Sequence, residues 1–190
     1  MNNWMRGLLA FIVLGVAAGP AMADEYLDTA ASYKTAGQSS SFFPKSYGYA
    51  VFPSVGKGGL IVGAAHGSGR VYAHGKYVGD VSMTQVSVGF QAGGQAYSEI
   101  IFFEDKRAFD EFTSGSFEFS ADAGAVVITA AASGTAGTSG ATGSANSGEK
   151  AATAGNYYKG MAVFTIAKGG LMYQAAIGGQ KFSYKALGGK

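Results

Sequence analysis

The 190-residue chain lacks cysteine, has only three prolines and carries few charged residues. The absence of cysteine excludes disulfide bonds, thiolate metal sites and a lipoprotein signal, which needs a cysteine at its cleavage point. The scarcity of proline argues against a proline-rich disordered chain. Charged residues make up 14% of the chain and the formal net charge is +2, so no strong field attracts nucleic acid, and we expect no nucleic-acid partner.

The abundant residues indicate a folded, tightly turned β protein. Hydrophobic residues make up 47% of the chain, enough to bury a core, and there are 31 glycines. Glycine supplies the positive φ angles and the close backbone approaches that short strands and tight turns need.

The most apolar stretch lies at the N-terminus. The run "GLLAFIVLGVAAG" (7–19) follows Arg6 and precedes the small-residue site "AMA" (21–23). This pattern predicts a signal peptide over 1–23 and a mature chain that begins at Asp24. A membrane anchor is the alternative, but the run is short and no stop-transfer charges follow it, which favours cleavage. We therefore expect export to the periplasm or cell surface.

The mature chain reads as a helical segment followed by a domain of short strands. Residues 24–46 begin with helically spaced apolar residues, and 47–190 form the main domain, with a low-complexity loop at 133–156. In 105–112, "DKRAFDEF" predicts a second helix capped by Asp105. The predicted fold class is mostly β (α+β): an antiparallel, glycine-rich sheet folded on itself, with a pseudo-repeated hairpin and one or two covering helices.

A repeated phrase suggests two similar hairpins. "KGGLIVGAA" (57–65) and "KGGLMYQAA" (168–176) are each preceded by "AVF". Turns at Gly58–Gly59 and Gly169–Gly170 would place Lys57 and Lys168 at the rim of the sheet. Two readings stay open: the lysines solvate their turns, or they bind an anionic group together with Arg70 and Lys181.

Three stretches resemble the SYLF domain, also called the Ysc84 actin-binding domain. They are "YGYAVFPSVGKGGLIVGAAHGSGRVY", "VGFQAGGQAYSEIIFFEDKRAFDEF" and "GMAVFTIAKGGLMYQAAIGG", and they occur in the family's order over most of the mature chain. The resemblance implies binding rather than catalysis: eukaryotic members bind phosphoinositide membranes, and the yeast type also binds actin filaments. Those members are cytoplasmic, whereas this chain has a predicted signal peptide and an unusual Gly/Ala/Ser/Thr-rich segment.

For an exported member, the resemblance makes anionic phospholipid or another amphiphile the expected partner, and actin is not expected. Candidate lipid-binding residues in "FFPK" (42–45) are Phe42, Phe43 and Lys45, because aromatic rings beside a lysine suit the headgroup boundary. Core packing of the two phenylalanines is the alternative. The other candidate lipid contacts are Lys57, Arg70, Lys168 and Lys181.

The sequence contains little that supports a catalytic site or a metal site. His66 and His74 are the only histidines and lack the spacing and additional ligands of a metal site. We expect no catalytic residue, no metal and no cofactor. Glu99 in "YSEIIFFE" (97–104) is the exception: facing inward, it needs a partner or a raised pKa, whereas at the polar edge of its strand it needs neither.

Three hypotheses follow from the sequence. The first is a non-enzymatic lipid-binding domain of the cell envelope. The second is an envelope protein that self-associates or pairs through strand edges. The third is a hydrolase built around Glu99 or a histidine.

Overall fold

The computed structural model describes residues 24–58, 62–88, 95–119, 126–128, 157–168 and 179–188. The predicted signal peptide and the low-complexity loop at 133–156 lie outside these ranges. The helices are α1 (Glu25–Thr35), a 3-10 helix (Gly37–Phe42) and α2 (Lys106–Phe112); the strands are β1 (Gly48–Gly58), β2 (Val62–Ala73), β3 (Lys76–Val88), β4 (Gln95–Phe103), β5 (Ser116–Glu118), β6 (Val126–Ile128), β7 (Met161–Lys168) and β8 (Gln180–Ala186).

The described strands form one sheet in the order β5-β8-β3-β2-β1-β4-β7-β6. Every pairing is antiparallel except that of β6 with β7. The predicted mostly-β, α+β class is therefore confirmed.

The sheet curls so that strands distant in its order meet across the inner face. In the strand order, β8 and β4 are separated by three strands. Nevertheless Gln180 Nε2 on β8 lies 3.0 Å from Glu99 Oε2 on β4. The rings of Phe52 on β1 and Phe182 on β8 lie 5.8 Å apart. The inner face thus encloses a core, as expected for a sheet folded on itself.

Helix α2 packs against the aromatic part of this inner core. Its N-cap is the predicted one, because Asp105 accepts a hydrogen bond from the backbone N–H of Ala108 at 2.8 Å. The ring of Phe112 is fully buried and packs against Phe103 and Phe182. This burial fixes the helix to the sheet.

The N-terminal helices pack on the outer face of the same sheet. Tyr33 of α1 is fully buried, and its hydroxyl donates to the carbonyl oxygen of Ser98 on β4 at 2.7 Å. Where the described chain begins, Asp24 caps α1 and forms an ion pair with Arg70 of β2. Helix α1 is thus fixed to the sheet by a buried hydrogen bond and an ion pair.

The first predicted hairpin is present, and its repeat is only partly described. β1 pairs with β2 up to Gly58 opposite Ala64, so the chain reverses near the predicted turn. The second predicted turn and its outgoing strand, 169–176, lie outside the described residues. The turn between β2 and β3 is at His74–Gly75, where both φ angles are positive, at 48° and 76°.

Gly69 on β2 offers a test of the close packing at the β1 bulge. A Cβ at this position would lie 2.6 Å from the Phe52 ring and 2.9 Å from the carbonyl oxygen of Val51. We therefore expect Gly69→Ala to lower the free energy of unfolding by about 1–3 kcal/mol in urea denaturation. Gly56→Ala is the matched control, because a Cβ there meets nothing within 4 Å. Equal stabilities of the two variants would contradict the packing described here.

Candidate binding site

Lys57 and Lys168 lie at the same end of the sheet, on either side of β4. The backbone of Lys57 pairs with Gln95, and that of Lys168 pairs with the next residue, Ala96. Two strand spacings separate the lysine backbones, about 10 Å. Lys168 is exposed. The end of the sheet therefore carries two basic positions, and because Gln95 and Ala96 are consecutive residues of β4, the two positions belong to opposite faces of the sheet.

Lys181 lies at the same level of the sheet but on a distant strand. The register runs from Lys181 through Thr84 and His66 to Gly56, one residue before Lys57. Its side chain is exposed and forms an ion pair with Glu118 at 3.5 Å. Lys181 is therefore separated from Lys57 by the two intervening strands β3 and β2, and from Lys168 by more.

The structure does not bring Arg70 to this end of the sheet. Its backbone pairs with Val51, six residues before Lys57, which corresponds to about 20 Å of strand. Its guanidinium forms an ion pair with Asp24 and packs over the rings of Tyr26 and Tyr77, at 4.2 and 4.9 Å from their centroids. Arg70 thus holds the N-terminal helix in place, a role that the sequence does not reveal.

The two phenylalanines of "FFPK" differ in exposure. Phe42 is buried, 6% exposed, and packs against Phe102 and Phe164, which corresponds to the core-packing alternative. Phe43 is half-buried, with the Nζ of Lys34 lying 5.3 Å from its ring centroid. Lys45 is exposed. Of the predicted contacts in this segment, Phe43 and Lys45 are the ones that reach the surface.

Glu99 faces the inner core, where it meets polar side chains from other strands. It alternates with Tyr97 and Ile101, which belong to the inner core, and it is fully buried. Gln180 Nε2 donates to Glu99 Oε2 at 3.0 Å and lies 3.4 Å from the Tyr97 hydroxyl. Thr165 on β7, also fully buried, is the direct cross-strand neighbour of Glu99. We call Tyr97, Glu99, Thr165 and Gln180 the inner polar cluster.

The environment of the inner polar cluster disfavours negative charge. Burial raises the pKa of Glu99 to about 7, and the hydrogen bond from Gln180 offsets only part of this effect. Burial, with the nearby carboxylate of Glu99, also raises the pKa of Tyr97. An inward-facing Glu99 is expected to need a partner or a raised pKa, and it has both.

Two members of the cluster, Gln180 and Thr165, were missed from the sequence. Each occupies an inward position of its strand, because Gln180 alternates with Phe182 and Thr165 with Val163. The spacing of Phe182 and Tyr184 in "QKFSY" contains this signal for Gln180, whereas "MAVFTIA" is apolar at every position except Thr165 and shows no alternation. The pattern does not reveal that β8 reaches β4 across the curled sheet.

The histidines do not come together. They lie at different levels of β2, His66 within the strand and His74 in the turn that follows it, where its ring packs against Tyr47 at 4.4 Å between centroids. Over the ranges that the structure describes, no group of three or more His, Cys, Asp or Glu residues could hold a metal ion. Nor is any helix in those ranges long and apolar enough to cross a membrane.

Comparisons with known proteins identify the family. The family model described as "Ysc84: Las17-binding protein actin regulator" matches residues 84–185, more than half of the chain. Beta cell expansion factor A of Aeromonas veronii is 33% identical over 142 residues. That match covers 74% of this chain but 46% of the relative, so the chain spans less than half of that protein. The family match and this relative show that the chain belongs to the Ysc84, or SYLF, family.

Proposed function

We propose that this chain is a non-enzymatic, lipid-binding domain of the cell envelope whose ligand is an anionic phospholipid or another amphiphile. Membership of a family of lipid- and actin-binding domains supports binding as its activity. The envelope location rests on the predicted signal peptide, and it is why we propose lipid rather than actin as the partner.

The observation that carries the proposal is the placement of Lys57 and Lys168 on either side of β4 at one end of the sheet. A lysine near an anionic bilayer contributes about 1 kcal/mol of attraction. The two positions alternate between the faces of the sheet, so an anionic surface that meets both has to lie across the strand ends rather than against one face. The sheet end that carries them is therefore the proposed face toward the lipid.

A second region has the composition of a membrane interface. Half-buried Phe43 lies beside exposed Lys45, and Lys34 of α1 approaches the Phe43 ring. An aromatic ring at the headgroup boundary, flanked by ammonium groups, combines burial of apolar area with attraction to phosphate. We propose Phe43 and Lys45 as lipid contacts, and we assign Phe42 to the core.

Co-sedimentation with vesicles tests the proposal. The protein from Asp24 onward is mixed with phosphatidylglycerol vesicles or with phosphatidylcholine vesicles, at low and at high salt. We expect binding to the anionic vesicles, weakened at 1 M salt because the Debye length falls to about 3 Å. Absence of binding to either vesicle at either salt concentration would refute it.

Self-association through strand edges is the second candidate. Its support is that β5 and β6 are the ends of the described strand order, so each has one side without a strand neighbour among the described residues; their length of three residues limits the edge that they offer. This candidate predicts an oligomer that grows with protein concentration and ignores vesicles. Sedimentation velocity over a hundredfold concentration range separates it from lipid binding.

A further inference from the structure

No cation among the described residues pairs with the buried carboxylate of Glu99. Its side chain is fully buried, and the hydrogen bond that it accepts comes from the neutral amide of Gln180. None of the ion pairs among the described residues includes Glu99. Burying a carboxylate without a positive partner is costly, so the site favours either a proton or a bound cation.

The inner polar cluster also contains hydrogen-bonding oxygens that no described residue uses. Glu99 Oε1, Gln180 Oε1 and Thr165 Oγ1 are all buried and without a hydrogen-bond partner in the described part of the chain. The three belong to one place, because Gln180 bonds to Glu99 and Thr165 is the cross-strand neighbour of Glu99. Leaving such atoms unpaired inside a core is costly, so three together indicate a missing donor.

We propose that the inner polar cluster is a binding site for a primary ammonium group. An ammonium supplies three N–H donors, one for each of the three unpaired oxygens, and its charge compensates the Glu99 carboxylate. A proton on Glu99 neutralises the carboxylate and supplies one donor, and the Thr165 hydroxyl supplies another, so protonation competes with the ammonium and prevails at low pH. The proposal does not rest on lipid binding through Lys57 and Lys168.

The chain's own lysines at this end of the sheet lie away from the cluster along the strands. The backbone of Lys57 pairs with Gln95, four residues from Glu99 on β4, or about 13 Å of strand. Lys168 pairs with Ala96 and is exposed to solvent. No ion pair among the described residues joins a lysine to Glu99, and we assign the ammonium to a ligand, either a small soluble amine or the headgroup of an aminophospholipid.

Thermal unfolding of the protein from Asp24 onward, in the presence of methylammonium, tests the site. At pH 8, methylammonium chloride should raise the Tm saturably, by about 5 °C or more at a hundredfold excess over Kd. Tetramethylammonium chloride carries the same charge without an N–H donor and should give no saturable rise. At pH 5.5 the rise should shrink, because a protonated Glu99 no longer attracts the cation.

Three variants show whether the shift comes from this site. Glu99→Gln and Thr165→Val should each lose most of the methylammonium shift, whereas Lys57→Ala should keep it. Equal shifts with the two cations, or an unchanged shift in Glu99→Gln, would overturn the proposal. So would loss of the shift in Lys57→Ala, which would make that lysine part of the site.

Vesicles distinguish the two sources of the ammonium. Phosphatidylethanolamine carries N–H donors, and phosphatidylcholine does not. Binding that prefers phosphatidylethanolamine and is lost in Glu99→Gln would identify a lipid headgroup as the ligand. A methylammonium shift without that preference would identify a soluble amine. Failure of both the shift and the preference refutes the ammonium site, while binding to phosphatidylglycerol vesicles would still support the proposed function.

Discussion

Replacing Glu99 with glutamine is expected to remove most of the pH dependence of stability between pH 5 and pH 8. The pKa of Glu99 is raised from 4.5 to about 7 in the folded protein. In that interval the folded state holds a proton that the unfolded state has released, so stability falls as the pH rises. Above pH 7 the penalty is complete, at about 3 kcal/mol. A glutamine at position 99 stays neutral at every pH, so the variant does not lose this stability.

Urea denaturation at pH 5 and pH 8, in sodium buffer, measures this effect. We expect the two proteins to have similar stability at pH 5, and Glu99→Gln to be the more stable by up to about 3 kcal/mol at pH 8. Glu118→Gln is a suitable control, because that carboxylate is exposed on β5. A wild-type protein whose stability rises between pH 5 and pH 8, with Glu99→Gln following the same curve, would contradict a buried, proton-binding Glu99.

Removing the ring of Phe42 should destabilise the fold by about 3–4 kcal/mol. The side chain is 6% exposed, and its ring packs against three others at centroid distances of 5.0–5.5 Å. The substitution Phe42→Ala leaves a cavity between the 3-10 helix and the outer face of the sheet. The loss is read from the urea midpoint, with vesicles absent.

The variant Phe43→Ala is compared with Phe42→Ala, because the two rings differ in burial. Its ring is half-buried against Tyr49 and Phe102, so we expect a smaller loss of stability, about 1–2 kcal/mol. Under the lipid-binding proposal it should also weaken vesicle association, because Phe43 reaches the surface. A larger loss of stability in Phe43→Ala than in Phe42→Ala would show that the assignment of the two rings is inverted.

Local patterns predict the elements of this fold well, because each depends on neighbouring residues. Asp105 before the amphipathic run "KRAFDEF" predicts the cap of α2. The His74–Gly75 turn follows from residues that tolerate positive φ. The antiparallel, mostly-β class follows from many such short segments together.

Contacts between distant strands could not be predicted in the same way. The meeting of Gln180 with Glu99, 81 residues apart in sequence, depends on how far the sheet curls, which no local pattern encodes. The ion pair of Arg70 with Asp24 likewise joins β2 to the start of α1. The sequence therefore identified Glu99 as an unusual carboxylate but not its partners, and it grouped Arg70 with lysines from which the fold separates it.

Charge-matched variants on anionic vesicles test the central claim most directly. Lys57→Ala/Lys168→Ala removes two charges from the proposed lipid-facing end, and Lys76→Ala/Lys185→Ala removes two elsewhere, from exposed positions at the start of β3 and near the end of β8. We predict that the first variant binds phosphatidylglycerol vesicles about 30-fold more weakly at low salt, since two lysines contribute about 2 kcal/mol, and that the second binds nearly as the wild type does. Equal weakening in both variants would mean that net charge alone governs binding, and no weakening in the first would contradict the proposed face.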